Sequence, residues 1–250
     1  YDYIDVKVKY PTESFIEILN ELEKLREKNI FSMNVIVEIS SKINSLEDSF
    51  LSNRSIVTHV HLPNSLKSIG SFAFQNCISL IQIKIPNSIT SIGDNCFEGC
   101  LLLSVVKFED NSKLQKINKA VFKNCVSLRM ISLPSSVTSI EFNSFFECKY
   151  LQKIETTQTK IYEQLLNYGL LFFEGEKVNK DNYEAFRLFR ILAINGYFDA
   201  MFYYAYMLEN GICCPTNVQK AFLFYMKAAE KNDPNSIYRL AVLFENGSGV

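Results

Sequence analysis

Apolar residues recur in the first part of the chain with a period close to 23 residues. The period is marked by cysteines 23, 25 and 23 residues apart, at Cys77, Cys100, Cys125 and Cys148. Each has a Phe three residues before it, an Ile eight before it and a Leu three after it. Apolar and polar residues then alternate, as in Ile83-Lys84-Ile85, and this alternation predicts a short strand in every repeat.

One such repeat cannot bury its own apolar residues. Stacking the repeats aligns the strands into a parallel sheet and joins the apolar positions into one core. We therefore expect the recurrent aromatic residues to form a single column: Phe74, Phe97, Phe122 and Phe145. The two additional residues near Asn111-Ser112-Lys113 are expected to enlarge a loop without shifting the core register. In an earlier, degenerate copy, Leu51 and Arg54 replace the Phe and the Cys.

The repeated segment IPNSITSIGDNCFEGCLLLSVVKF, at residues 85–108, resembles the BspA-type leucine-rich repeat family. The resemblance extends with variation from about residue 37 to residue 156. It implies a stacked parallel sheet without catalytic residues of its own. Proteins of this family are surface-exposed or interaction proteins of protozoa and bacteria. The resemblance therefore implies binding to a protein partner, which it does not identify.

After about residue 158 the apolar period changes from two residues to about 3.6, which predicts helices. Ala185 and Ala221 are 36 residues apart, and such small side chains let neighbouring helices approach closely. Glycines with the same spacing are expected to end the first helix of each pair in a left-handed conformation: Gly175, Gly211 and Gly247.

The loop between the paired helices resembles that of the Sel-one-like repeat family, a relative of tetratricopeptide repeats, which reads Gly-x-Gly-Val-x-x-Asp-x-x-Lys-Ala. In the first copy Gly175, Val178, Asp181 and Ala185 match, and Lys177 and Glu184 depart. In the second copy Gly211, Lys220 and Ala221 match, and Cys213, Cys214 and Asn217 depart. The resemblance implies an adaptor that holds protein complexes together.

A third helical copy begins at Gly247-Ser248-Gly249-Val250 and is truncated. We expect the helix before it to expose an apolar face, formed by Leu240, Leu243 and Phe244. Because the sequence begins at Tyr1 and stops inside a repeat, we also expect it to be a fragment of a longer protein.

The N-terminal residues alternate in polarity over residues 4–10, which predicts a strand. Ser14 and Glu17 form a candidate capping box for a helix that runs to about Lys28. Its apolar stripe is expected at Phe15, Ile18, Leu19, Leu22 and Leu25. We interpret residues 1–34 as a cap over the first repeat, the alternative being the end of another domain.

The predicted fold is therefore an α+β tandem-repeat solenoid. The cap at residues 1–34 is followed by leucine-rich repeats at 35–157, which form a parallel sheet. An array of α-α helical repeats follows at 158–250.

The charge, the apolar runs and the motifs of the sequence argue against several classes of function. A formal net charge of −1 argues against general binding to nucleic acid or to a membrane surface. No apolar run approaches the roughly 18 residues of a membrane helix. Nucleotide-binding glycine loops, Gly-x-Ser-x-Gly elbows and paired His-Glu motifs are absent from the sequence. We expect no enzymatic activity and no cofactor.

Two small groups of residues leave alternatives open. His59 and His61 lie on one side of a strand and suggest a metal site, but the sequence near them offers no further ligand, so we interpret them as surface residues. Cys213 and Cys214 are adjacent, and the alternative to an ordinary loop there is a redox-active pair.

Strand alternation predicts which residues form the outer face of the sheet. The central row of this face is His61, Lys84, Lys107, Ser132 and Glu155. The flanking row is His59, Gln82, Val105, Met130 and Lys153. We expect Val105 and Met130 to be adjacent exposed apolar groups with a polar surround, which is how protein interfaces are commonly built. The alternative is an ordinary solvated sheet face.

These observations favour a non-enzymatic scaffold or adaptor that binds protein partners. The alternatives are a cell-surface adhesion or host-contact protein and the regulatory region of a larger enzyme, such as a protein kinase. Free cysteines placed in the core favour the cytoplasm. The cell surface is the alternative, if a signal or an anchor lies outside these residues.

Overall fold

A computed structural model describes residues 4–28 and 33–247 of the chain. The chain forms two compact units, residues 1–158 and residues 159–250. The start of the third helical copy at Ser248-Gly249-Val250 and parts of the expected cap, residues 1–3 and 29–32, lie outside the described residues.

Within the described residues, the first unit contains one helix and twelve short strands. They are β1 (Ile4–Tyr10), α1 (Phe15–Glu27), β2 (Met33–Ile39), β3 (Ser45–Leu46), β4 (Val57–His61), β5 (Ser68–Ile69), β6 (Gln82–Ile85), β7 (Ser91–Ile92), β8 (Val105–Phe108), β9 (Lys116–Ile117), β10 (Met130–Ser132), β11 (Ser139–Ile140) and β12 (Lys153–Glu155).

The longer strands form the parallel sheet that the sequence predicts. They pair in the order β1-β2-β4-β6-β8, and β10 pairs with β12. The shorter strands form a second row of parallel pairs, in the order β3-β5-β7 and between β9 and β11. A parallel stack of strands, followed by a helical repeat region, confirms the predicted α+β repeat solenoid.

The enlarged repeat interrupts the strand pairing but not the core. Among the described strands, no pairing joins β8 to β10 or β7 to β9. The rings of Phe97 and Phe122, on either side of this interruption, are nevertheless stacked with centroids 5.6 Å apart. The additional residues therefore leave the core register intact, as expected, while they interrupt the strand pairing within each of the two rows.

The aromatic column forms as predicted. The rings of Phe74, Phe97, Phe122 and Phe145 are stacked with centroids 5.2, 5.6 and 5.6 Å apart and planes within 11° of parallel. All four side chains are buried. Apolar burial of this extent is the main stabilising contribution in a repeat stack.

The repeat cysteines add a column of hydrogen bonds to the core. The Sγ of Cys77 donates to the carbonyl of Leu51 at 3.1 Å, and the Sγ of Cys100 donates to the carbonyl of Phe74 at 3.1 Å. Cys125 and Cys148 bond in the same way to Phe97 and Phe122. Each thiol thus fills a small core position and satisfies a carbonyl of the preceding repeat.

The residue before each repeat cysteine has a left-handed backbone. Its φ is 56° at Asn76, 72° at Gly99, 57° at Asn124 and 57° at Glu147. Asparagine and glycine adopt this conformation at little cost, which explains the recurrence of Asn before Cys. At Gly99 a Cβ would lie 2.2 Å from the Oδ1 of Asn76, so this position also requires the missing side chain.

The N-terminal residues extend the stack. Strand β1 pairs in parallel with β2, and the Phe15 ring of α1 packs 5.9 Å from Phe50. The predicted capping box is wrong: Ser14 makes no side-chain cap hydrogen bond, because its φ of −97° and ψ of 13° lie outside the extended region that an N-cap uses. In the predicted stripe Phe15 and Leu19 are buried, whereas Ile18 is exposed.

The second unit consists of helices. They are α2 (Thr159–Glu174), α3 (Asn182–Ile194), α4 (Phe198–Glu209), α5 (Val218–Ala229) and α6 (Pro234–Glu245). The glycines after α2, α4 and α6 are left-handed as predicted, with φ of 76° at Gly175, 65° at Gly211 and 61° at Gly247. Asn217 departs from the family loop but still caps α5, since its side chain accepts a hydrogen bond from the Lys220 amide at 2.8 Å.

The apolar face predicted on α6 is only partly present. Phe244 is 57% exposed, as expected. Leu243 is buried at 4% exposure and Leu240 is half-buried. The prediction is therefore wrong for Leu243, because α6 packs against α5 and covers part of this face within the chain.

Candidate protein-binding surface

The predicted outer face is built by strand alternation. The inward residues Val60, Ile83, Val106, Ile131 and Ile154 are all buried. The residues on either side of each of them point away from the core. The predicted surface residues therefore lie on one side of the sheet, in two rows that cross the strands.

Strand register brings several of these residues together. His59 is opposite Gln82, and Gln82 is opposite Val105. Lys84 is opposite Lys107 in the central row. In the second pair of strands, Met130 is opposite Lys153 and Ser132 is opposite Glu155. Since β8 and β10 are not paired, the structure does not place Val105 in register with Met130.

Two further strands extend the outer face beyond the prediction. Lys7 of β1 is opposite Ile36 of β2, and Ile36 is opposite His59. Glu38 is opposite His61 in the central row. The alternation of residues 4–10 was visible in the sequence, but nothing in it indicated that β1 joins the same sheet in parallel.

Most charges on this face are neutralised by neighbours. Lys84 Nζ lies 2.6 Å from Glu109, and this hydrogen bond lowers the pKa of the Glu109 carboxyl. Glu155 lies 2.5 Å from Lys153 and accepts a hydrogen bond from Ser132, and together these lower its pKa. Exposed pairs of this kind contribute little to stability because water and salt screen them.

Lys107 and Met130 are the exceptions on the face. Lys107 is exposed and makes no ion pair with any residue that the structure describes. Met130 is 51% exposed, a large fraction for an apolar side chain. Val105, however, is half-buried, so the prediction of an exposed Val105 is wrong. Its short side chain stands in the sheet beside the longer Gln82, and long neighbours screen a short residue from solvent.

The two histidines of the outer face have different surroundings. The Nδ1 of His59 lies 3.0 Å from the hydroxyl of Thr58, while His61 is exposed. Among residues 4–28 and 33–247, no group of three or more His, Cys, Asp or Glu side chains is placed to hold a metal ion.

In the helical unit, the raised pKa of Tyr225 has a structural explanation. Burial raises the pKa of Tyr225, whose hydroxyl also donates to Glu209 at 2.8 Å. The same carboxylate accepts a hydrogen bond from Arg239 Nε at 3.1 Å. Glu209, Tyr225 and Arg239 join α4, α5 and α6 through these hydrogen bonds. The raised pKa of Tyr225 therefore reflects a packing contact between helices.

Comparison with known proteins now identifies the repeats. A family model described as a BspA type Leucine rich repeat region matches residues 44–169 in six copies, just over half of the chain. The chain belongs to the BspA-type leucine-rich repeat family. Sel1 repeat models match the BspA-type chain at residues 165–197, 198–233 and 234–250. Repeat domains of both kinds are typically non-catalytic interaction modules.

Several solved structures resemble parts of this BspA-type chain. A protective antigen present in uropathogenic Escherichia coli strains, which displays an SLR fold, is 31% identical over 36% of this chain and 19% of its own, with a TM-score of 0.34. A leucine-rich repeat protein from Bacteroides ovatus is 24% identical over 52% of this chain and 39% of its own, with a TM-score of 0.41.

The pneumococcal vaccine antigen PcpA is 21% identical over 62% of the BspA-type chain and 36% of its own, with a TM-score of 0.45. The chain thus spans well under two thirds of the length of these structures. No curated protein matches the sequence. In the part of the chain that the structure describes, every helix is too short or too polar to cross a bilayer.

Proposed function

We propose that this BspA-type protein is a non-enzymatic scaffold that binds a protein partner on the outer face of its parallel sheet. The observation that carries the proposal is that an exposed apolar side chain, Met130, and a cation without an ion pair, Lys107, lie on a face whose other charges are largely neutralised by ion pairs among the described residues. The rest of the face supplies a polar rim.

Interface chemistry supports this assignment. Partner binding removes water from the centre of a contact, and an apolar group there contributes through burial. A charge without an internal partner is free to pair with a carboxylate on the partner, whereas Lys84 and Lys153 already have one. Lys107 is therefore the residue of this face that selects for an acidic partner surface.

Charge reversal at these two positions tests the proposal. The variant Met130→Glu/Lys107→Glu is immobilised beside the wild-type protein, and the proteins captured from the native cell are quantified by mass spectrometry. Both side chains are exposed, so the variant is expected to fold, which circular dichroism verifies. We expect partners of the wild type to be depleted from the variant by about tenfold, as for loss of an interface hot spot.

A matched control uses Lys67→Glu, which reverses an exposed charge outside the outer face. This variant is expected to retain every partner. If the double variant and the control capture the same proteins in the same amounts, the outer face is not the binding surface.

The cytoplasm is the compartment we propose for this scaffold. All seven cysteines are free thiols, and Cys213 is exposed, which suits a reducing compartment. Labelling of the full-length protein on intact cells would favour surface adhesion instead, and a catalytic domain in the full-length product would favour a regulatory region.

A further inference from the structure

A second surface lies outside the outer face, on the turns between each repeat cysteine and the strand that follows. We call residues 78–81, 101–104, 126–129 and 149–152 the turn edge. Large apolar side chains are exposed here: Ile78 at 38%, Ile81 at 39%, Leu101 at 36%, Leu102 at 52% and Tyr150 at 63%. Four of the seven exposed Ile and Leu side chains in the described part of the first unit therefore lie on this edge.

Backbone hydrogen bonds hold successive turns against one another. The amide of Leu102 donates to the carbonyl of Ile78 at 3.2 Å, and the amide of Ser127 donates to the carbonyl of Leu101 at 3.2 Å. Ser104 donates to Ile81 at 2.9 Å. The exposed side chains therefore belong to neighbouring segments of one continuous edge.

The repeat itself does not require apolar residues at these positions. Its core is served by the leucine in the middle of each turn, which is buried in all copies: Leu80, Leu103, Leu128 and Leu151. Arg129 stands at the position of Ile81, Ser127 at that of Leu102 and Lys149 at that of Leu101, although Tyr150 keeps a large side chain at the position of Leu102 in the last copy. A contiguous apolar patch that packing does not require is typical of a binding site.

The later turns supply charge beside this patch. Arg129 and Lys149 are exposed, and neither makes an ion pair with any residue that the structure describes. The backbone of Gln152 donates to the carbonyl of Arg129 at 2.8 Å, so this turn stacks on the last one. The turn edge is thus aliphatic at one end, and at the other end it carries two cations beside the exposed Tyr150.

Helix α1 is already bound at the turn that corresponds to the turn edge one repeat earlier. Ser55 occupies the position of Ile78 one repeat earlier, and its carbonyl accepts a hydrogen bond from Arg26 of α1 at 2.5 Å. Arg54 lies 3.3 Å from the Glu23 carboxylate of the same helix. The repeats therefore already bind one helix through an ion pair between a cation of the repeat, Arg54, and a carboxylate of the helix, Glu23.

We infer that the turn edge binds an acidic amphipathic helix of a partner protein. Apolar side chains of that helix cover Ile78, Leu101 and Leu102, and its carboxylates pair with Arg129 and Lys149. Burial of the aliphatic patch provides affinity, and the two cations fix the direction in which the helix lies. This surface is separate from the outer face, so neither proposal depends on the other.

The test uses a random peptide display library selected on the wild-type protein. We expect the retained peptides to combine apolar residues at helical spacing with Asp or Glu. Their affinity should fall about tenfold or more with Leu102→Glu, and similarly with Arg129→Glu/Lys149→Glu. Leu102 is half exposed, so its variant is expected to fold, and thermal unfolding followed by circular dichroism checks this.

The matched control is Met130→Glu/Lys107→Glu, which changes the outer face and should leave these peptides bound. Peptides that are insensitive to Leu102→Glu, or that lack acidic residues, would overturn the inference. Two further measurements test other occupants of the turn edge. Binding to phosphatidylserine vesicles tests a membrane, and light scattering tests a second copy of the chain. If Leu102→Glu abolishes vesicle binding or dissociates a dimer of the wild type, the occupant is a membrane or a second copy, and the inference fails.

Discussion

At the scale of single residues, the cysteine of each repeat has two physical requirements to meet. The position is small and fully buried, and a carbonyl of the preceding repeat needs a donor. A thiol satisfies both, since it behaves as a small apolar group with a weak S–H donor. In the first copy Arg54 takes this place because its guanidinium contacts Asn20 and Glu23 of α1 instead.

Glu98 is the residue through which three repeats meet in one polar contact. It accepts hydrogen bonds from Gln75 at 2.9 Å and Asn95 at 2.8 Å, and it lies 2.9 Å from Lys123. Burial alone would raise the pKa of this carboxyl, but the hydrogen bonds from Lys123, Asn95 and Gln75 outweigh burial and lower it.

This lowered pKa predicts acid sensitivity. Because the folded pKa of Glu98 lies below the unfolded value, the stabilisation is complete above the unfolded pKa of about 4.3 and is lost as the pH falls through the folded value. Glu98→Gln should therefore be less stable than the wild type at neutral pH, with a difference that shrinks in acid. Urea unfolding at several pH values measures this difference.

Glu47→Gln is the matched control, since Glu47 is exposed and makes no ion pair with a described residue. Its free energy of unfolding at neutral pH should lie within about 0.5 kcal/mol of the wild type. A difference between Glu98→Gln and the wild type that does not change with pH would show that the contact has no electrostatic role.

At the scale of secondary structure, periodicity predicted the elements but not all of their partners. The alternation around Ile83 and the helical spacing around Ala221 identify a strand and a helix because each element buries one face. The parallel pairing of β1 and the interruption between β8 and β10 depend on distant segments and on loop length. The sequence of a single segment therefore predicts neither the pairing of β1 nor this interruption.

Helix α2 approaches α3 closely at one glycine. A Cβ at Gly169 would lie 2.6 Å from Cε1 of Phe189, whose ring is fully buried. The sequence pattern did not single out this residue, because a glycine inside a helix has no visible reason until its neighbour is known. The contact explains why a poor helix former occupies this position.

Gly169→Val is therefore expected to destabilise the helical unit by about 1–3 kcal/mol through overpacking. Chemical unfolding followed by far-ultraviolet circular dichroism measures the change. Asn167→Val, on the exposed side of α2, introduces the same side chain without the clash and should have an effect within about 0.5 kcal/mol. Equal effects of the two variants would mean that valine acts through helix propensity alone.

At the scale of the whole molecule, the sequence predicted the outward direction of the surface residues better than their exposure. Alternation placed Lys107 and Met130 on the outer face, because inward and outward residues must follow the pleat. The burial of Val105, the ion pair of Lys84 with Glu109 and the turn edge were not predictable. They depend on which side chains stacking places side by side.

Thiol chemistry tests the arrangement of the whole chain at once. Burial raises the pKa of Cys77 to about 12 and raises the pKa of Cys100 and Cys125 well above the usual value. Since the thiolate is the reactive form, these groups are expected to be inert. A native-state reaction with Ellman's reagent should therefore modify only Cys213 and Cys214 of the seven cysteines.

Unfolding in guanidinium chloride should then expose all seven thiols, and mass spectrometry of peptides assigns them. Cys214 should react more slowly than Cys213, because burial raises its pKa and it is partly covered. Rapid native modification at Cys100 or Cys125 would contradict the stacked core.

The thiol hydrogen bonds also bear on how such chains change over generations. The Sγ of Cys125 donates a hydrogen bond to the repeat before it, and the Sγ of Cys148 likewise donates to the repeat that precedes its own. Unequal recombination that duplicates or deletes one whole coding unit therefore leaves every remaining thiol donor with a carbonyl acceptor. Duplication of only part of a unit would leave one thiol without its acceptor. Natural variation in the length of this array is accordingly expected to occur in steps of entire units.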